Sequence, residues 1–162
     1  MPDLSRHSTI AQDVVEFLDA NWSQKPGNVQ IVRARSFEAA TKTIAETEDA
    51  FICVIVPDVE AAIESRGSDR DTVPVFACVI ASVPALEETL LDAWDLRSEQ
   101  VADVLRDRRL KLLALGNGIV ATRQGTVSIP TTADADWLYG SEIFVSVIEM
   151  AYSFSVPVGE VS

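Results

Sequence analysis

Few residues in this sequence could do chemistry, and their types and spacing assemble no familiar site. His7 is the only histidine. A metal centre needing two imidazoles is therefore excluded within one chain, and a Ser-His-Asp or Cys-His arrangement would have to use His7, which lies in the polar N-terminal stretch. Cys53 and Cys78 each sit inside a continuous apolar run and read as buried core thiols. Asp134 and Asp136 lie two apart, but carboxylates are so abundant here that the pair is uninformative. Gly116-x-Gly118 lacks the third glycine and the following helix of a dinucleotide fingerprint, and no G-x-x-x-x-G-K-[ST] string occurs. No catalytic, cofactor-binding or metal-ligating residue is assigned, no cofactor is expected, and the chain reads as a non-enzyme.

Cations are the remaining candidates. One group, Arg66, Gly67, Asp69 and Arg70, falls in a charged, glycine-containing stretch and marks an exposed loop. The other, Arg106, Arg108, Arg109 and Lys111, crowds the end of an expected helix. Both could bind phosphate or an acidic patch on a partner. The simpler reading, and the favoured one, is a solvated loop and a helix end matched to its own dipole.

The background charge bears on that choice. With 25 acidic against 13 basic residues the net charge is −12. That opposes wrapping nucleic acid, where phosphate neutralisation supplies most of the affinity, and opposes docking on anionic lipid. Hydrophobic residues make up 48% of 162 residues, enough for one folded domain with a sizeable core. No apolar stretch approaches the length of a membrane span and the N-terminus shows no signal-peptide core, so the chain is expected to be made in the cytosol.

The positioning elements follow from periodicity. Thr9 and Gln12 suggest a capping box opening a helix whose apolar face is Ile10, Val14, Phe17, Leu18 and Trp22, closed by Pro26-Gly27-Asn28. Val29 to Arg35 reads as a strand with Val29, Ile31 and Arg33 on one face, and Ser36 to Glu46 as a short helix. Two non-alternating runs, 51–56 and 73–80, read as central strands covered on both faces, partly by another subunit, with Pro74 at the second strand's start. Asp58 to Thr72 between them reads as an exposed excursion.

Pro84 should open the main helix, residues 84–108, with Leu90, Trp94, Val101 and Leu105 buried and Leu91 and Val104 flanking. Gly116-Asn117-Gly118 signals a turn, residues 119–122 and 126–129 a hairpin around Gln124-Gly125, and 130–136 a polar loop. A closing strand puts Phe144, Ile148, Met150, Tyr152 and Phe154 on one face. The expected fold is α+β, a two-layer sandwich of a mostly antiparallel sheet with two main helices packed on one face. It forms a single domain over residues 1–162, with 1–8 and 157–162 as flexible tails.

This arrangement resembles the tail-terminator family of long-tailed bacteriophages, also called tail-completion or neck proteins. The likeness covers roughly residues 9–155 and rests on the order of elements more than on any one string. Its parts are the amphipathic helix from Ile10 to Trp22, the strand from Val29 leading into Ser36-Phe37-Glu38, Val54-Ile55-Val56-Pro57 followed by Ser65-Arg66, Glu87-Glu88-Thr89-Leu90-Leu91, and Phe144-x-Ser146-x-Ile148-x-x-x-Tyr152. Residues 110–125 match nothing in the family pattern.

The resemblance implies a structural virion protein made in the host cytoplasm. It implies a homo-oligomeric ring, commonly of six subunits, that ends the tail tube, contacts the tail tube protein and the head-tail connector, and lets DNA pass without specific binding. A net charge of −12 per copy suits a lumen that repels phosphate. The alternatives are a head-side connector or head-completion protein of the neck, and a small ligand-sensing α+β regulatory domain. The last would require a concave pocket with converging polar groups.

Overall fold

The structure, a computed structural model, describes residues 5–36, 38, 50–56, 68–110, 112–131 and 134–157. In chain order the described elements are α1 (Arg6–Asn21), β1 (Val29–Ala34), β2 (Ala50–Ile55), β3 (Ser68–Ser82), α2 (Glu88–Leu105), β4 (Leu112–Gly116), β5 (Ile119–Thr131), α3 (Ala135–Ser141) and β6 (Ile143–Pro157). Short 3₁₀ turns, Pro84–Leu86 and Arg108–Leu110, flank α2. The fold is α+β, with three described helices and one curled, half-barrel-like sheet of six strands in the order β1-β2-β3-β6-β5-β4. The sheet is mixed rather than purely antiparallel, because β1 and β2 run parallel. The other four neighbouring pairs are antiparallel.

Helix α1 starts a turn earlier than Thr9-x-x-Gln12 suggests. Ser5 is the N-cap, its Oγ accepting from the Ser8 N–H at 3.1 Å. The Thr9 hydroxyl donates back to the Ser5 carbonyl at 2.9 Å, and Gln12 bonds Glu16 instead of the helix start. Residues 6–8, expected in a tail, are therefore helical, and Pro157 belongs to β6. Ile10, Ala11, Val14 and Leu18 bury one face, as their helical spacing requires.

The main helix is shorter than expected. Pro84 opens a 3₁₀ turn in which Ala85 (φ 56°) and Leu86 (φ 51°) are left-handed, so the chain breaks before the helix begins. Glu87 then caps α2, its carboxylate accepting from the N–H groups of Thr89 at 3.2 Å and Leu90 at 2.9 Å. Trp94, Ser98, Val101, Ala102 and Leu105 are buried, with Leu90, Leu91 and Val104 packed at the margin.

Helices α1 and α2 share one apolar cluster with Ile52 and Val54 of β2, Val75, Ala77 and Val79 of β3, and Phe144, Ile148, Met150 and Tyr152 of β6. The opposite sheet face holds a second cluster of Phe51, Cys53, Ile55, Cys78, Ile80 and Val145, against which Trp137 of α3 packs. These residues are already buried within a single chain, so the expected cover from another subunit is not what hides them. Two buried faces explain why the central runs do not alternate.

Three further expectations are corrected. Strand β3 begins at Ser68, so Ser68 to Thr72, expected in a loop, pair with Pro157 to Ser153. Pro74 accordingly lies inside the strand rather than at its start. Strand β2 pairs with β3 only over Phe76–Ile80, so no bond to β2 is lost at Pro74. The hairpin expected around Gln124-Gly125 is one continuous strand, β5, which pairs with β4 across Gly116-Asn117-Gly118. Gly125, at φ 67°, sits where the register against β6 slips, so it bends the strand instead of reversing it. The expected helix 36–46 lies almost wholly outside the described residues, as do residues 58–67 of the excursion.

Candidate functional site

Two members of the basic group at the end of α2, Arg106 and Arg109, are paired with their own neighbours. Arg106 Nη1 donates to Asp103 Oδ1 at 2.8 Å and Nη2 approaches the Val127 carbonyl at 3.4 Å. Arg109 meets Asp107 through Nη2 at 2.8 Å and Nε at 3.2 Å, bonds Asn21 Oδ1 at 3.0 Å, and lies over the Phe17 ring at 5.5 Å. The hydrogen bonds from Arg109 hold the Asp107 carboxyl down at about 2. These side chains tie α1 to the connection after α2. The Arg108 side chain and Lys111 lie outside the described residues.

Behind this group lies a pair that sequence reasoning missed. Arg123 of β5 donates to the carbonyls of Leu105, Asp107 and Arg106, closing the C-terminal end of α2. Its register partner Tyr152 donates its hydroxyl to the Leu110 carbonyl at 2.6 Å. Free carbonyls at a helix end need such donors. A cation two strands away in sequence gives no local signal of that role.

The other sequence candidates are dispersed. Arg66 and Gly67 lie outside the described residues, and Asp69 and Arg70 are strand residues opposite Val156 and Ser155 rather than loop residues. Asp134 caps α3, its carboxylate accepting from the N–H groups of Asp136 at 3.1 Å and Trp137 at 3.2 Å. Cys53 and Cys78 face each other across β2 and β3. Burial pushes their thiols up, to about 11 and about 12. At neutral pH they stay protonated and weakly nucleophilic. Among the described residues, no group of three or more His, Cys, Asp or Glu side chains is placed to hold a metal ion.

Two surfaces stand out instead. The first is the outer face of the β4–β5 hairpin. Leu113 and Leu115 turn into the main cluster, which leaves Leu112 and Ala114 outside. Ala114 pairs with Val120 and Leu112 with Thr122, so Leu112 and Val120 are diagonal neighbours on one face. They are 65% and 48% exposed, and β4 is an edge strand of the sheet. A run of apolar residues was visible in the sequence at 112–115, but its alternation was masked because both faces are apolar.

The second is a cleft of about 260 Å³ between the first turns of α1 and the ends of β1 and β2, lined by His7, Ser8, Ala11, Arg33, Ala34, Arg35 and Val56. Its signal in the sequence was Arg33 falling on the same strand face as Val29 and Ile31. Compared with known protein families and with curated proteins, the sequence matches none.

Proposed function

We propose that this protein is a structural ring subunit that ends a bacteriophage tail tube and joins the tail to the head. In this reading it is not an enzyme. Its fold serves as a two-layer frame, a mostly antiparallel sheet backed by α1 and α2, that carries assembly surfaces at its edges. Copies close into a ring, commonly of six, in contact with the tail tube protein and the head-tail connector. DNA passes through the acidic lumen unbound, and the protein's place is the virion neck.

The observation that carries this reading is the β4 edge with the diagonal neighbours Leu112 and Val120 exposed on one face. An edge strand offers unpaired backbone groups, and proteins that stay monomeric usually blunt such edges with charge or proline. Here the outer face is apolar, which suits pairing with a neighbour. The order of helices and strands agrees with that of the tail-terminator resemblance, and the charge of −12 suits passage of DNA.

The test is templated assembly. Purified protein is mixed with tail tubes and imaged by electron microscopy. Collars at one tube end support the reading; tube ends that stay bare at saturating protein contradict it.

A further inference from the structure

We propose that the cleft between α1 and the ends of β1 and β2 binds a small phosphate-bearing anion. This stands apart from the assembly reading, because a single folded chain gives the readout.

Most of the described cations are already engaged. Lys25 pairs with Asp19, Arg106 with Asp103 and Arg109 with Asp107. Arg123 is used up on backbone carbonyls, Arg97 lies over the Trp94 ring and Arg6 over the Phe154 ring. Arg33 and Arg35 differ. Among the described residues neither has a carboxylate partner or lies over an aromatic ring, although acidic residues outnumber basic ones 25 to 13. Arg33 makes one long approach, 3.5 Å, to the Ser8 carbonyl, and both arginines line the same cleft.

Geometry makes the pair convergent. Arg33 follows Val29 and Ile31 on the face of β1 turned toward α1, and Arg35, in the bend just after the strand, lines the same cleft. The opposite wall supplies His7 and Ser8, both able to donate hydrogen bonds, and the remaining lining residues are the small or apolar Ala11, Ala34 and Val56. Among the described residues, no acidic side chain lines the cleft. The end of α1 is already capped by Ser5, so the site rests on side chains rather than on free amides.

Two guanidinium forks, an imidazole and a hydroxyl around a partly apolar hollow match the oxygens of a phosphate group. At about 260 Å³ the cleft is small, which favours inorganic phosphate or a compact phosphomonoester over a dinucleotide. The cleft also opens at the carboxyl ends of β1 and β2, the one parallel pair among the described strands, where open α/β sheets commonly bind ligands.

The test is an NMR titration of the full chain with inorganic phosphate and, separately, with glycerol phosphate, at ionic strength held constant with sodium chloride. Saturable shifts are expected at the amides of Ser8, Ala11, Ala34 and Val56. Tighter binding of glycerol phosphate would identify a phosphomonoester as the preferred source, and equal binding the free ion. R33Q/R35Q should raise the dissociation constant about tenfold or more, while R97Q leaves it unchanged. If the double variant does not fold, R35Q alone serves, since Arg35 has no hydrogen-bond or ion-pair partner among the described residues to lose. Shifts that fail to saturate, that chloride reproduces, or that survive R35Q and R33Q/R35Q unchanged would overturn the proposal.

Discussion

Arg123 and Tyr152 stand opposite each other on β5 and β6, and both side chains reach across to carbonyls of the connection from α2 to β4. One pair of neighbouring residues thus closes the end of the main helix and fixes the start of the edge strand. Tyr152 is fully buried, and burial, with the Asp13 charge adding to it, pushes its phenol up despite the pull of Arg123. The hydroxyl therefore remains a donor at any physiological pH. Tyr152→Phe leaves the Leu110 carbonyl without this donor and should cost about 1–3 kcal/mol in urea unfolding. Arg123→Met removes the contacts to the end of α2. If the two act as a unit, the double variant should lose less than the sum of the singles.

Cys53 and Cys78 allow a prediction with a defined sign. Their folded values, about 11 and about 12, lie above the ordinary 9.0. A raised acid keeps its stabilising contribution below its unfolded value and loses it as pH climbs toward the folded value. Stability should hold up to about pH 9 and fall from there upward, and the fall between about pH 9 and 10 should be shallower in C53A/C78A. The native thiols should react slowly with a disulfide reagent at pH 8 and rapidly in urea; equal rates would mean that the two strands open readily.

Gly125 and Gly27 separate backbone from space. A Cβ at either meets nothing within 4 Å, but only Gly125 has a left-handed φ, at 67°. Gly125→Ala should therefore destabilise by about 1–2 kcal/mol through the backbone alone. Gly27→Ala should be neutral or stabilising by about 0.4–1 kcal/mol. Thermal unfolding of the two variants side by side checks both.

Much of the fold was legible because its signals are local. The apolar stripe of α1, the alternation of β6 and the dense runs of β2 and β3 each carry their own period. What escaped was set by contacts distant in sequence. Glycine at 125 marks a bulge as readily as a turn, and only the pairing of β5 with β4 and β6 decides between them. Ser68 to Thr72 look like loop residues because their partner strand lies more than eighty residues further along the chain. The sites divide between local and distant contacts. Arg106 and Arg109 stood out as a basic patch, yet their carboxylate partners at Asp103 and Asp107 were within three residues. Arg33 was legible on the strand face of Val29 and Ile31, but its meeting with Arg35, His7 and Ser8 was not, because the cleft exists only once α1 packs beside β1.

Leu112 and Val120 connect the fold to the proposed function. Both are exposed, so L112E/V120E should change stability by no more than about 0.5 kcal/mol per site. The same variant should fail to form collars on tail tubes. Leu96→Glu, which places a charge on the exposed side of α2, should leave collars intact. Collars of normal abundance from L112E/V120E would move the assembly surface elsewhere.

The most direct test of the central claim is electron microscopy of lysates from a phage that carries this gene and from the same phage with the gene deleted. A tail-ending ring predicts overlong tubes beside filled, unattached heads in the deletion, with normal particles restored by a plasmid copy. Tails of normal length beside leaking or unjoined heads would assign the protein to the head side of the neck. Normal virions from the deletion would contradict a role in the neck altogether.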